Sequence, residues 1–277
     1  MYRIILSLLL LTTLVGDAPI AKAQSQEGEW ELVFSDEFNG RNGSQPDPTK
    51  WNRAKRNPSQ WARWNSPSER AVFIKNGSLV CRAIPNKWEP SDTAKMLTGG
   101  VNTMDKFEFK YGKLEVRMKT NAIAGNFPAA WLQKNPSVNK GIYSEIDIVE
   151  VFSNPKKADH TIHSQYTQEH PRHGLKNTFS KTVNVKKWHV YGLEWTPEYV
   201  LWTIDGETTG FYQKPRDQQL LNQGAWTFDN PLYIILNQAV GSGRWKALPY
   251  PDTSKTFETR FDWVRVYQHV PQSKSSE

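Results

Sequence analysis

Apolar and polar residues alternate in short runs along most of this chain, with a period of two. Lys113-Leu114-Glu115-Val116-Arg117-Met118-Lys119 alternates strictly, and Val200, Trp202 and Ile204 alternate with Leu201, Thr203 and Asp205. A period of two marks half-buried strands, because successive strand side chains point to opposite faces. Two hairpin turns can be placed directly. Asn76-Gly77 separates strands at Ala71–Lys75 and Ser78–Ala83, and Asp205-Gly206 separates Tyr199–Ile204 from Thr208–Tyr212. The same pattern predicts strands at 30–34, 97–109, 127–133, 144–152, 160–166, 188–196, 231–238 and 257–268. Arg216–Gln223 is the best helical window, about two turns. A dozen strands without a helical layer predict two packed antiparallel sheets, an all-β sandwich.

The first residues break this pattern. Tyr2-Arg3 precedes an apolar run from Ile4 to Val15, and Ala21-Lys22-Ala23 has the form of a cleavage site. That run is too short to span a membrane, which takes about 20 residues. Residues 1–23 are therefore expected to be a signal peptide and Gln24 the mature start, giving a secreted or periplasmic protein without membrane insertion. Residues 24–270 are expected to form one catalytic domain, and 271–277 a polar tail.

Composition adds three constraints. Cys81 is the only cysteine, so no intramolecular disulfide is available. The formal net charge is +7, but acids and bases are interspersed, with the densest basic cluster at Arg53, Lys55, Arg56 and Arg63. Such a balance fits a solvated basic surface or an acidic polymer as partner. Third, there are twelve tryptophans. Trp61, Trp64, Trp88, Trp226 and Trp245 lie in polar, turn-rich stretches, where indole rings can serve as platforms for sugar rings. No phosphate loop, paired cysteines or G-x-S-x-G elbow is present, and nucleic acid is not the expected partner.

The chemistry concentrates in Ser144-Glu145-Ile146-Asp147-Ile148-Val149-Glu150. Alternation puts Glu145 and Asp147 on one face and Ile146 and Ile148 on the other, which would leave Glu150 in the core. A buried, unpaired carboxylate is costly. One extra residue, a β-bulge near Val149, returns Glu150 to the acidic face. Three acids then line one face, and two glutamates leaning together approach the ~5–5.5 Å separation of a retaining glycosidase. Asp147 between them would hold the nucleophile, and crowded like charges would help keep Glu150 protonated. Taken without its surroundings, the same triplet also fits a surface acidic strand or a calcium site.

This run resembles the E-x-D-x-x-E signature of glycoside hydrolase family 16. The resemblance extends over nearly the whole chain after residue 23, through Phe34–Gly40, Tyr111–Arg117, Phe127–Leu132, Leu236–Gly241 and Asp262–Tyr267. It implies a β-jelly-roll sandwich whose concave sheet forms a cleft for a β-linked polysaccharide. It further implies Glu145 as nucleophile, Asp147 as assisting acid, Glu150 as acid/base, and Trp131 as the floor of a subsite beside the scissile bond. His163 falls where the family places a histidine near the acid/base, His160 is expected outside the site, and Asn237, Gln238 and Trp245 match a segment near the cleft. No cofactor is expected for catalysis. A structural calcium on the convex side is implied through Glu37, Gly77 and Asp262. The stretch Gln60–Pro67 departs from the laminarinase-like pattern, and Trp61, Arg63 and Trp64 there are candidates for substrate binding.

Three functions follow. The first is a monomeric endo-glycanase on β-1,3 or mixed β-1,3/1,4-glucan. The second is an endo-β-galactanase on an agar- or porphyran-type or other galactose-containing glycan, to which the arginines would suit sulfate or acidic sugars. The third is a non-catalytic carbohydrate-binding sandwich.

Overall fold

A computed structural model describes residues 29–270 apart from 139–140, 171, 173 and 244–247. Its strands are β1 (Trp30–Asp36), β2 (Asn52–Arg53), β3 (Val72–Ile74), β4 (Leu79–Pro85), β5 (Met96–Asn102), β6 (Glu108–Phe109), β7 (Gly112–Thr120) and β8 (Asn126–Lys134). There follow β9 (Ser144–Glu150), β10 (Lys157–Ser164), β11 (Thr178–Thr182), β12 (His189–Trp195), β13 (Tyr199–Ile204), β14 (Glu207–Gln213), β15 (Leu232–Val240) and β16 (Phe257–His269). Two short helices interrupt them, α1 (Gln165–Glu169) and α2 (Gln218–Asn222).

All strand pairings are antiparallel, and the strands run β11-β10-β9-β8-β15-β5-β4-β16-β7-β12-β13-β14. The path folds back at β4–β5, so that β11 to β5 form one layer and β4 to β14 the other. Ile146, Ile162, Ile234 and Leu236 of the first layer meet Leu114, Val116, Trp202 and Val264 of the second in one core cluster. This is the jelly-roll sandwich. Burial along β7 alternates at every residue, as the sequence of 113–119 requires.

Both hairpins form at the expected turns. Asn76 and Gly77 have φ of 51° and 66°, the left-handed pair that a tight hairpin needs. Two expectations change. The stretch 97–109 is two strands, because Thr103–Phe107 turns back on itself through Lys106 and Phe107 amides bonding the Thr103 carbonyl. The helix at 216–223 is shorter, Gln218–Asn222, and starts where the Asp217 carboxylate accepts from the Gln219 and Leu220 amides.

Candidate active site

The register of β9 decides which side chains reach the concave face. On β8, Trp131 stands opposite Asp147 and Ala130 opposite Val149, so Ile148 has no partner. On β10, Thr161 faces Asp147 and Asp159 faces Glu150, leaving one residue, His160, across from two. This is the extra residue that the acid spacing demands. Ile148 and Val149 both enter the main core, and Glu145, Asp147 and Glu150 all line one cavity of about 680 Å³.

The bulge has a support outside the expected site. His160 is fully buried, and its Nδ1 lies 2.6 Å from the Ile148 carbonyl while its Nε2 lies 2.9 Å from the Thr209 hydroxyl. The carbonyl can only accept, so Nδ1 donates and Nε2 accepts from Thr209, which is the neutral ring. Burial pushes the imidazole down to about 4. Trp202 stacks on the same ring, with centroids 5.9 Å apart, and its Nε1 donates to the Asp147 carbonyl at 2.9 Å.

Around the acids the cross-strand rows are continuous. Tyr233, Gln133, Glu145 and His163 stand opposite one another across β15, β8, β9 and β10. Glu145 Oε2 accepts from the Tyr143 hydroxyl at 2.7 Å and from Gln133 Nε2 at 3.3 Å, and Tyr233 donates to Gln133 Oε1 at 2.9 Å. His163 Nε2 lies 3.5 Å from Asp147 Oδ2 and 3.7 Å from Glu145 Oε1. Gln168 Nε2 lies 3.1 Å from His163 Nδ1, so the ring is held with its Nε2 turned toward the two acids. Thr161 donates to Glu150 Oε2 at 3.2 Å. In the next row, small Ala129 sits beside Glu150, with Asn237 and then Gly100 beyond it.

The floor of the cavity is apolar. Trp131, Ala129, Tyr233 and Ile235 form a cluster on the concave side, with Trp61 and Met104 packed against it. Trp61 meets Trp131 edge to face, with centroids 5.2 Å apart. Trp131 Nε1 donates to Asn237 Oδ1 at 2.8 Å, while the buried Asn237 Nδ2 has no hydrogen-bond partner. That amide is a donor set in the cleft wall with nothing yet to donate to.

Several expected residues lie elsewhere. Gln238 points into the sandwich, bonded to Asn126 and Thr259, because its neighbour Asn237 takes the concave face and adjacent strand residues alternate. Arg63 turns away from the cavity and donates to the carbonyls of Gln60, Val240 and Gly241, while stacking on Trp64 at 4.3 Å. Trp64 packs on Met96, Val240 and Phe257 and does not line the cavity. Trp226 packs against Tyr212 and Phe228. Trp245 lies outside the described residues.

The residues implied as calcium ligands have other partners in this structure. Glu37 is held by a bidentate pair from Arg265 and Asp262 by Arg117, and Gly77 lies in the hairpin turn. Among the described residues, the one group of acids and histidine close enough to hold a metal is Glu145, Asp147 and His163, inside the cavity itself. Sequence reasoning missed Tyr143, Gln133 and Tyr233. Strand alternation was a usable signal, since each shares a face with a residue already singled out: Tyr143 with Glu145, Gln133 with Trp131, and Tyr233 with Asn237.

The sequence model of "Glycosyl hydrolases family 16" matches residues 68–265. The chain belongs to this family. All three acids of its signature line one cavity here, which counts against the reading as a carbohydrate-binding sandwich without activity. Among curated relatives of this family-16 chain, a "Keratan-sulfate endo-1,4-beta-galactosidase" from Sphingobacterium multivorum is 32% identical over 87% of this chain and 56% of its own length. A "Beta-glucanase" from Rhodothermus marinus is 29% identical, covering 94% of this chain and 93% of its own. The solved laminarinase from Rhodothermus marinus superposes with a TM-score of 0.75 at 26% identity, over 89% of this chain and all of that one. The chain thus spans little more than half the length of the keratan-sulfate enzyme.

Proposed function

We propose that this family-16 hydrolase is a retaining endo-β-glycanase that cuts internal bonds of a β-1,3 or mixed β-1,3/1,4-glucan. The observation that carries this is the bulged strand β9, which turns three carboxylates into one cavity floored by Trp131. Glu145 attacks the anomeric carbon, while Glu150 gives its proton to the departing glycosidic oxygen. Water then enters, yields a proton to Glu150 and displaces Glu145, so two inversions return the original configuration. Asp147, one side-chain step from Glu145 on the same face, positions the nucleophile together with His163. Trp131 and Trp61 offer apolar surface to sugar rings, and Asn237 Nδ2 supplies a donor for a hydroxyl.

The glucan reading gains from what the arginines do. Arg53 donates to Gln45 and to the carbonyls of Val72, Ser66 and Ser68, and Arg56 pairs with Asp92. With Arg63 also bound to carbonyls, the three arginines of the cluster that suggested an anionic substrate are engaged in holding their own loops, and Lys55, its fourth member, is exposed. A second reading, an endo-β-galactosidase on a galactose-containing glycan, is favoured by the 32% identity to the keratan-sulfate enzyme. We further read the protein as a monomer exported through residues 1–23, which lie outside the described residues. No helix among the described residues is long and apolar enough to cross a membrane.

Product analysis on laminarin, lichenan, agarose, porphyran and keratan sulfate separates the two readings. Oligosaccharides from laminarin or lichenan alone support the first, and products from keratan sulfate or the algal galactans alone support the second. On the substrate that is cut, Glu145→Gln should lower turnover by at least roughly a thousandfold while polysaccharide retention in affinity gels persists. Turnover surviving that change would overturn the assignment of Glu145.

A further inference from the structure

The double-displacement reading leaves three polar side chains at the nucleophile without a role. Tyr143 precedes Glu145 by two residues on the same face of the chain, and Gln133 stands directly across from Glu145 on β8. Both bond the same carboxylate oxygen, Oε2, at 2.7 and 3.3 Å. Tyr233 fixes the orientation of the Gln133 amide from the far side, by donating to its oxygen at 2.9 Å, so that the amide nitrogen is the end turned to Glu145. Tyr143 and Gln133 both line the cavity.

We propose that Tyr143, with Gln133 oriented by Tyr233, forms a clamp on Oε2 of Glu145 whose main effect is to make this carboxylate a better leaving group in the second displacement. The clamp rests on the retaining reading above. Its members are positioning residues, acting through Glu145. With Oε2 held by two donors, Oε1 is the oxygen that attacks. In the first step an Oε1 lone pair forms the bond to the anomeric carbon, and the glycosidic oxygen leaves with its bonding pair and the Glu150 proton. Negative charge drains from Oε2, which becomes the ester carbonyl oxygen, and the two hydrogen bonds weaken. In the second step water bonds to the anomeric carbon, its proton passes to Glu150, and the pair of the Oε1–carbon bond returns to the carboxylate. Charge now builds on Oε2, and both donors strengthen as the transition state is approached. An interaction stronger in the transition state than in the state before it accelerates that step. The clamp therefore favours hydrolysis of the glycosyl-enzyme at some expense to its formation.

The chemistry of the donor suits this. Burial and the neighbouring charges of Glu145 and Asp147 push the Tyr143 phenol far above its ordinary range, so it stays protonated and always donates. The titratable groups around Glu145 are Tyr143 just before its strand, Asp147 and Glu150 on it, His163 on β10 and Tyr233 on β15; from β8 it meets the neutral Gln133.

The test uses the full chain and whichever polysaccharide of the panel it cleaves. Tyr143→Phe removes one oxygen and keeps the ring. Its kcat should fall about tenfold to a hundredfold, the worth of one hydrogen bond to a charged group. KM should fall by a similar factor, because the covalent intermediate accumulates, leaving kcat/KM within about threefold of the parent. Rapid quenching in acid followed by intact-protein mass measurement should show the glycosyl adduct in the variant at a higher fraction than in the parent. A fall in kcat with KM unchanged or raised and no adduct would overturn the clamp, as would parental kinetics. If Tyr143→Phe melts well below the parent, Gln133→Met, which keeps chain length and lacks the donor, carries the same test. Glu145→Gln run alongside separates the levels. Turnover in that variant sinks the retaining reading itself, whereas an inert Glu145→Gln with parental Tyr143→Phe and Gln133→Met sinks the clamp alone.

Discussion

His160 shows how a residue away from the chemistry can set a condition for it. Its imidazole is buried in the neutral form between the Ile148 carbonyl and the Thr209 hydroxyl, with a folded value of about 4 against 6.5 when free. Above about pH 6.5 the ring is neutral in both folded and unfolded chains and contributes nothing to the pH dependence. Between about 6.5 and 4 the unfolded chain takes up a proton that the folded one refuses, so stability falls as pH falls. Below about 4 both bind it and the loss is complete, at roughly 3 kcal/mol. The midpoint of urea unfolding should therefore drop between pH 7 and 4, and the part of that drop due to His160 should vanish in His160→Gln. An equal drop in the variant would show that another group is responsible. Cys81, equally buried, is shifted the other way: burial pushes its thiol up to about 12. It should stay unmodified by a thiol reagent at pH 8 in the native protein and react only as the chain unfolds.

At the scale of single residues, the alternation of β9 made the acids legible, and the cost of burying Glu150 made the bulge legible with them. The pairing of Glu37 with Arg265 was not legible, since the two are 228 positions apart and only the pairing of β1 with β16 brings them together. The same limit applied to Asn237 and Gln238. Alternation allowed one of them on the cleft face, but which one depends on how β15 sits against β8.

Among the elements, the loop before the first hairpin is the clearest case of a motif read for the wrong job. Arginines beside tryptophans on a polar stretch suggested contacts with a charged sugar. The guanidinium of Arg63 instead spans the loop and the end of β15, bonding Gln60, Val240 and Gly241 carbonyls, and so fixes the segment that carries Trp61 to the cavity. Carbonyl acceptors leave no mark in a sequence, which is why the charge looked available. Arg63→Met should leave the acids untouched and loosen Trp61. We expect KM to rise about fivefold, for roughly 1 kcal/mol of lost binding, with kcat within about twofold. Steady-state kinetics on the cleaved polysaccharide checks this, and a loss confined to kcat would count against it. Polar β11 was missed for a related reason. Thr-Phe-Ser-Lys-Thr is an edge strand with four of its residues exposed or partly so beyond Phe179, and it has no apolar repeat to announce it.

Over the whole molecule, the two layers are joined through the acid-bearing strand β9. Trp202 comes from β13, in the layer that has no part in the cavity, and crosses the core to donate to the main-chain carbonyl of Asp147 at 2.9 Å. It also stacks on His160 and meets Phe179 of the edge strand β11. One indole thus ties the far sheet to the residue between Glu145 and Glu150 and to the histidine that supports the bulge. The alternation of Val200, Trp202 and Ile204 showed in advance that this ring faces the core, but its partner belongs to the packing of sheets far apart in sequence. Trp202→Phe keeps an aromatic ring, removes the donor and leaves a void beside the bulge. It should destabilise the protein by about 2–4 kcal/mol, combining an unsatisfied buried carbonyl with lost packing. If the far sheet also sets the geometry of the acids, kcat should fall at temperatures where the variant is still fully folded by circular dichroism. Lower stability with an unchanged kcat would show that the bulge is held by β8 and β10 alone, and that the second layer contributes burial without steering the site.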